Sequence, residues 1–144
     1  QWQAGDITLQ AADLTNRGQI FGLTALSLTT TNGLNNQQGG TLLSQGVAVL
    51  SAATVANDGN AQADRLTFDA QQLTNRGRIQ GDNGLAIVLD RANPASRLTN
   101  QDTLLSGGDS WLSASQLDNQ GTVSGVGKLT LDSGAINNAG SVIA

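Results

Sequence analysis

The chain has 144 residues, a net charge of −4, and no Cys, His or Met. Without His and Cys there is no Ser–His or Cys–His nucleophilic system, no disulfide, and almost nothing from which a zinc site is normally built. An acidic balance without a basic stripe argues against nucleic acid as a main partner. No apolar run is long enough to span a bilayer, and no signal peptide is visible.

What remains is a chain rich in Gly, Asn, Thr and Ser, with little that favours helix. All eleven acidic residues are Asp, and Lys128 is the one lysine. Glu and Lys are good helix formers, so their scarcity fits an all-β chain. The aromatic residues are Trp2, Phe21, Phe68 and Trp111, and the one proline is Pro94.

Taken in chain order, the same pattern returns seven times. Ile7, Leu9 and Ala11 alternate with polar residues and lead into Leu14-Thr15-Asn16-Arg17-Gly18-Gln19-Ile20. The loosest copy is Leu34-Asn35-Asn36, with extra residues before Leu42. Ala48, Leu50 and Ala52 precede Val55-Ala56-Asn57-Asp58-Gly59. Leu66, Phe68 and Ala70 precede Leu73-Thr74-Asn75-Arg76-Gly77-Arg78-Ile79. Then come Leu98-Thr99-Asn100-Gln101-Asp102-Thr103-Leu104 and Leu117-Asp118-Asn119-Gln120-Gly121-Thr122-Val123. Leu129, Leu131 and Ser133 open the last unit, which closes on Ile136-Asn137-Asn138-Ala139-Gly140-Ser141-Val142.

The period-two stretches are a strand signal, and the Gly residues before them (Gly5, Gly22, Gly46, Gly84, Gly127) mark turns. Each unit therefore reads as one longer strand, a bend, and a short strand around the Asn motif. From Asn16 through Asn36, Asn57, Asn75, Asn100 and Asn119 to Asn138, the steps are 20, 21, 18, 25, 19 and 19 residues. A period near twenty means stacked supersecondary units.

One unit cannot fold alone. Ordering its backbone costs roughly 1–2 kcal/mol per residue. A handful of inward side chains returns roughly 1.5–3 kcal/mol each when large and fully buried. The deficit closes when units stack at about 4.8 Å and share both a core and their backbone hydrogen bonds. The expected fold is an all-β, right-handed parallel β-helix of about seven coils, roughly 20 residues each, since parallel crossovers are overwhelmingly right-handed. Residues 1–144 are expected to form one β-helix segment excised from a much longer solenoid, because neither end carries a recognisable cap.

The seven Asn residues are expected to stack as a structural ladder, each carboxamide donating to the next. Asn also tolerates left-handed backbone and bonds locally at turns. Gly two residues later is expected to permit a backbone that a Cβ would block. Gln38 and Asp102 interrupt that Gly column, so the second and fifth coils should bend differently.

The 25-residue step holds an insertion around Asp90-Arg91-Ala92-Asn93-Pro94-Ala95-Ser96-Arg97. Pro94 is confined to an edge or loop, and solenoid insertions often map to a binding face. Alignment on Asn119 points residues 110, 112 and 114 inward and Trp111 outward. Asp90, Arg91, Asn93, Pro94, Arg97 and Trp111 therefore form the candidate contact surface, with a tolerated surface bulge as the bland alternative. Trp111 alone reads as an ordinary exposed aromatic, a carbohydrate platform, or a contact with the parent protein. The scattered Asp residues form no column, and Gly107-Gly108-Asp109 is only a fragment of a calcium-binding nonapeptide. No catalytic, cofactor or metal residues are assigned. Arg17, Arg76 and Arg78 are read as solubilising groups that pair locally with Asp.

Coils reading Leu-x-Asn-x-Gly-x-Ile after Gly-x-Leu-x-Leu-x-Ala resemble filamentous haemagglutinin repeats, best at Leu73 to Ile79, Leu117 to Val123 and Ile136 to Val142. The resemblance covers essentially the whole chain. It implies a large exoprotein of a Gram-negative bacterium, secreted or surface-displayed by two-partner secretion, either an adhesin or a contact-dependent growth inhibition effector. It also implies an outer-membrane transporter as partner of the parent protein, and a host or target-cell receptor or glycan. It carries no catalytic residues or cofactor. The expected function is a non-catalytic shaft that reaches, stiffens and displays. A receptor- or glycan-binding segment is the alternative. A polysaccharide-processing β-helix enzyme is a third reading, and it lacks the clustered acidic or calcium site such enzymes carry on one face.

Overall fold

The computed structural model describes residues 1–144 and contains strands and turns without any helix. No helix is therefore long and apolar enough to cross a membrane. The chain winds as a parallel β-solenoid of about seven turns with about 19 residues per turn. Each turn contributes three strand segments, which stack into three parallel faces.

The first face holds the residues leading into each Asn: β2 (Leu14–Asn16), β4 (Gly33–Asn36), β7 (Thr54–Asn57), β9 (Gln72–Asn75) and β11 (Arg97–Asn100). It continues through the ends of β13 (Asp109–Asn119) and β15 (Leu129–Asn138). The second face follows the Asn turn. It includes β5 (Thr41–Ser44), β12 (Thr103–Ser106), β14 (Thr122–Gly125), β16 (Ser141–Ile143) and the first halves of β3 (Gln19–Thr30), β8 (Asn60–Ala70) and β10 (Arg78–Leu89). The third face comprises the later part of β1 (Trp2–Ala11), the second halves of β3, β8 and β10, β6 (Val47–Ser51), and the first parts of β13 and β15. Because several strands run on around a corner, all 16 join one continuous hydrogen-bonded sheet.

The sequence pattern resolves two strands per coil, whereas the coil has three. The Gly-x-aliphatic end of each motif lies past a turn and forms its own face. In register, Ile20, Leu42, Ala61, Ile79, Leu104 and Val123 stack as the inward column of that second face. Trp2, which the pattern alone does not place, pairs with Ile20 and heads this column. On the third face the inward columns include Leu26-Ala48-Leu66-Leu85 and Leu28-Leu50-Phe68-Ile87-Leu112. Buried apolar side chains from all three faces form one cluster running along the axis.

Along the corner between the first two faces the Asn side chains make an unbroken chain. Asn16 Nδ2 donates to Asn36 Oδ1 at 2.9 Å, Asn36 to Asn57 at 2.8 Å, and Asn57 to Asn75 at 2.9 Å. Asn75 donates to Asn100 at 2.9 Å, Asn100 to Asn119 at 2.8 Å, and Asn119 to Asn138 at 2.8 Å. Each Nδ2 from Asn16 to Asn119 also reaches a carbonyl of its own turn and one in the next coil. For Asn75 these are Gly77 O at 3.0 Å and Thr103 O at 2.9 Å.

Left-handed backbone plays no part in the Asn positions of this corner, since no non-glycine residue has positive φ. They end extended strands, and their side chains do the turning. Nor is the following Gly selected by φ. A Cβ on Gly77 would overlap the carbonyl oxygen of Gly59, and a Cβ on Gly121 that of Asp102, each in the coil before. Close approach of successive coils excludes the side chain.

The second coil does bend differently, by two extra residues. Gly39, with φ 84°, is the one residue in left-handed backbone, and Gly40 then takes the place of the column glycine. Asn36 Nδ2 accordingly bonds Gly40 O at 3.2 Å, four residues on. In the fifth coil Asp102 keeps the local bond from Asn100 at 3.1 Å. It makes no counterpart of the bonds from Gly77, Gly121 and Gly140 N–H to an Asn carbonyl of the preceding coil.

Three stability measurements follow. Asn75 is fully buried, donates to three acceptors and accepts from Asn57, whereas Asn16 accepts from no neighbouring Asn. Asn75→Ala is expected to lower the unfolding free energy by roughly 1–3 kcal/mol more than Asn16→Ala, because it strands buried partners. Equal urea midpoints would contradict the ladder. Gly77→Ala is expected to cost roughly 1–3 kcal/mol by overpacking. Gly18→Ala should be near neutral, since a Cβ there meets nothing within 4 Å. Ser110 points inward between Leu85 and Leu129, and its buried Oγ has no partner. Ser110→Ala should raise the melting temperature by removing that orphaned hydroxyl, and a lower one would show that the hydroxyl is satisfied.

Candidate functional site

With the interior filled by side chains, only outward residues can meet a ligand. Two irregular regions stand out on the outside, and they lie on different faces.

The first is on the third face. Trp111 points outward and is 45% exposed. Its strand neighbours are Ala86 below and Thr130 above, both small. The indole therefore overhangs a low floor and walls a hollow of about 420 Å³. Arg65, Gly84, Asp109 and Lys128 line the other side. These four lie in one outward column, because Gly84 is in register with both Arg65 and Asp109, and Lys128 precedes the residue paired with Ser110. Asp109 Oδ1 accepts the backbone N–H of Lys128 at 2.9 Å.

The second region is the insertion, at the corner between the third and first faces. Its shape is set by two local caps. Asp90 Oδ1 accepts Ala92 N–H at 3.0 Å, and Asn93 Oδ1 accepts Ala95 N–H at 3.0 Å. Pro94 sits at the exposed tip, where its missing N–H costs nothing. Ser96 then turns back into the stack, buried, with its Oγ accepting Ser115 N–H at 2.8 Å. Arg91 pairs with Asp132 at 3.1 Å and Arg97 with Asp118 at 3.4 Å. Arg91 thus reaches from the fifth coil to the seventh. Ser113, in register between Val88 and Asp132, is buried although it faces outward. The insertion acts as a strap over the sixth coil.

The residues grouped as one contact surface from the sequence are therefore divided. Pro94 and Arg97 border a polar hollow on the first face with Gln72, Thr74, Thr99 and Gln116. Trp111 borders the third-face hollow, whose lining includes none of the insertion residues. Arg91 and Arg97 are engaged in ion pairs. Arg65, Gly84 and Lys128 are the additions the structure makes. Counting along coil steps from Arg65 to Gly84, Asp109 and Lys128 would have found them.

The arginines read as solubilising groups bond locally. Arg76 meets Asp58 at 3.3 Å, Arg17 Nε donates to Gln37 Oε1 at 2.6 Å, and Arg78 donates to Gln80. No group of three or more His, Cys, Asp or Glu converges as a metal cage.

No family model matches the chain, and no solved structure matches it. Curated proteins do. The chain is 49% identical over 113 residues to the "Deoxyribonuclease CdiA" of Dickeya dadantii (strain 3937), covering 78% of this chain and 3% of that protein. It is 38% identical over 154 aligned residues to the "tRNA nuclease CdiA" of Escherichia coli O6:K15:H31, covering 79% of this chain and 5% of that protein. It is 42% identical over 81 residues to the "16S rRNA endonuclease CdiA" of Enterobacter cloacae, covering 56% of this chain and 2% of that protein. The chain spans about a twentieth or less of the length of these relatives. The chain is homologous to a short segment of the CdiA contact-dependent growth inhibition exoproteins, and its β-solenoid is that of a filamentous haemagglutinin-like repeat.

Proposed function

We propose that residues 1–144 are a non-catalytic shaft segment of a large secreted or surface-displayed exoprotein of contact-dependent growth inhibition. Its work is mechanical: it holds a distal receptor-binding or toxin region away from the producing cell. In this reading the parent protein is exported through the outer-membrane transporter of a two-partner system.

One observation carries the proposal. Relatives whose names state different nuclease activities, on DNA, tRNA and 16S rRNA, share this stretch. A segment retained while the named chemistry changes is suited to carrying that chemistry rather than performing it. The solenoid supports the same reading. Its interior is a filled core, and three of its seven cations are held in surface ion pairs.

The mechanics follow from the stacking. Every coil hydrogen-bonds to its neighbours along three faces, so bending the axis would open backbone bonds on one side. Seven coils at about 4.8 Å extend the reach by about 30–35 Å.

The test is an exchange within the Dickeya dadantii relative. Its aligned stretch is replaced either by this chain or by a Gly/Ser linker with the same number of residues. This chain is expected to preserve surface display and target-cell inhibition. The linker, a flexible coil with no fixed length, is expected to lower inhibition at equal display. Equal inhibition by the two exchanges would show that a rigid shaft is not what the segment provides. Cleavage of DNA, tRNA or rRNA by the purified chain would refute the non-catalytic reading.

A further inference from the structure

The third-face hollow has a composition that the shaft role does not require. Its central outward column reads Thr8, Ser27, Val49, Thr67, Ala86, Trp111 and Thr130. Trp111 is the one aromatic in it, set between the two small residues Ala86 and Thr130. The indole keeps nearly half its surface in solvent and overhangs space that no other side chain fills.

The adjacent column supplies charge. Arg65 and Lys128 both line the hollow, and neither side chain takes part in any of the ion pairs or hydrogen bonds of the molecule. Three of the other five cations, Arg76, Arg91 and Arg97, are paired with Asp, and Arg17 and Arg78 bond glutamines. Asp109, between Arg65 and Lys128 in the column, has one oxygen taken by a backbone N–H. Two cations against one carboxylate leave this hollow with a net charge of +1, on a chain whose total is −4. Gly84, in register between Arg65 and Asp109, keeps the approach open.

We propose that this hollow binds an acidic oligosaccharide laid along the shaft axis, with a pyranose ring stacked on Trp111 and its carboxylate held by Arg65 or Lys128. The chemistry is complementary at each point. An indole face accepts the apolar C–H face of a sugar ring, and its rigidity keeps the entropy cost low. A guanidinium grips a carboxylate with two parallel N–H bonds, and an ammonium attracts it as a point charge. Thr67 and Thr130, also on the lining, offer hydroxyls to those of the sugar. Arg65 and Lys128 are three coil steps apart, about 14 Å, which suits a chain of sugars better than a single ring. The volume falls within the usual range of ligand sites, about 300–1,000 Å³. The inference is independent of the shaft reading, because the shaft keeps its reach whether or not its flank is occupied.

The test is titration of the purified chain with tetragalacturonate, with 3′-sialyllactose, and with neutral lactose, followed by calorimetry and indole fluorescence. At least one acidic probe is expected to bind roughly tenfold tighter than lactose, with affinity falling as salt is added. Trp111→Ala should weaken binding roughly tenfold, and Trp111→Phe should restore part of it. The double variant Arg65→Gln/Lys128→Gln should erase the preference for acidic over neutral sugar. All these side chains point outward, so unchanged melting curves will show that the fold is intact. If neither acidic probe binds, if lactose binds as well as they do, or if Trp111→Ala leaves affinity unchanged, the proposal is wrong.

Discussion

The structure depends on one column of amides. A carboxamide carries its donor and its acceptor on opposite sides of one short planar group. Stacked one per coil, it passes a hydrogen bond along the axis with a fixed direction, from Asn16 toward Asn138. Aspartate would supply only acceptors, and a longer Gln would not meet the carbonyls that Nδ2 reaches beside the neighbouring Asn. The column lies at a corner, where the turn carbonyls, such as Gly77 O, already accept a backbone N–H from the next coil. Each amide adds a second bond to that carbonyl in its own coil and reaches another carbonyl in the next, so it fixes turn and register together. A slip of one residue in any strand would turn its buried side chains outward. Low dielectric in the buried part of the column strengthens every bond in it.

That constraint separates inside from outside. Inward positions carry apolar side chains, small residues and the amides, and at Gly77, Gly121 and Gly140 the Asn corner has no room for a Cβ. Outward positions carry no such limit. Insertions are tolerated on the same terms, since the segment from Asp90 to Ser96 leaves the stack at one corner and returns with Ser96 buried and bonded to Ser115. A solenoid of this kind can keep its register while its surface diverges. The homologous stretches in relatives of differing named activity are consistent with that freedom.

Much of this was legible in the sequence because a solenoid repeats its instructions. Leu73-Thr74-Asn75-Arg76-Gly77-Arg78-Ile79 states one corner, and its six other copies make the reading secure. The period-two stretches gave the third face and its inward columns, including the inward Ser110 and the outward Trp111. The third strand of each coil escaped because segments such as Thr41–Ser44 are four residues long and begin straight after a turn. The expected block to a Cβ is met at Gly77 and Gly121, but its source was not legible. Sequence shows that a glycine recurs but not whether backbone angle or a neighbouring coil demands it, and at Gly77 it is the carbonyl of Gly59. Gly40 was hidden by two extra residues, so Gln38 looked like the substitute.

Surface sites follow another rule, which explains why the contact region was only half legible. Adjacency of the fifth and sixth coils grouped Trp111 with the insertion around Pro94, yet the two leave their coils in different directions. Closeness in space follows whole coil steps instead. Arg65 and Lys128 stand 63 positions apart in numbering but in one outward column, on either side of Asp109 and Gly84. In a β-solenoid the sequence should therefore be read down the columns before it is read along the chain. Read that way, the seven cations separate into five that bond Asp or Gln and two that face the exposed indole, and this difference marks out one basic patch on an otherwise acidic surface.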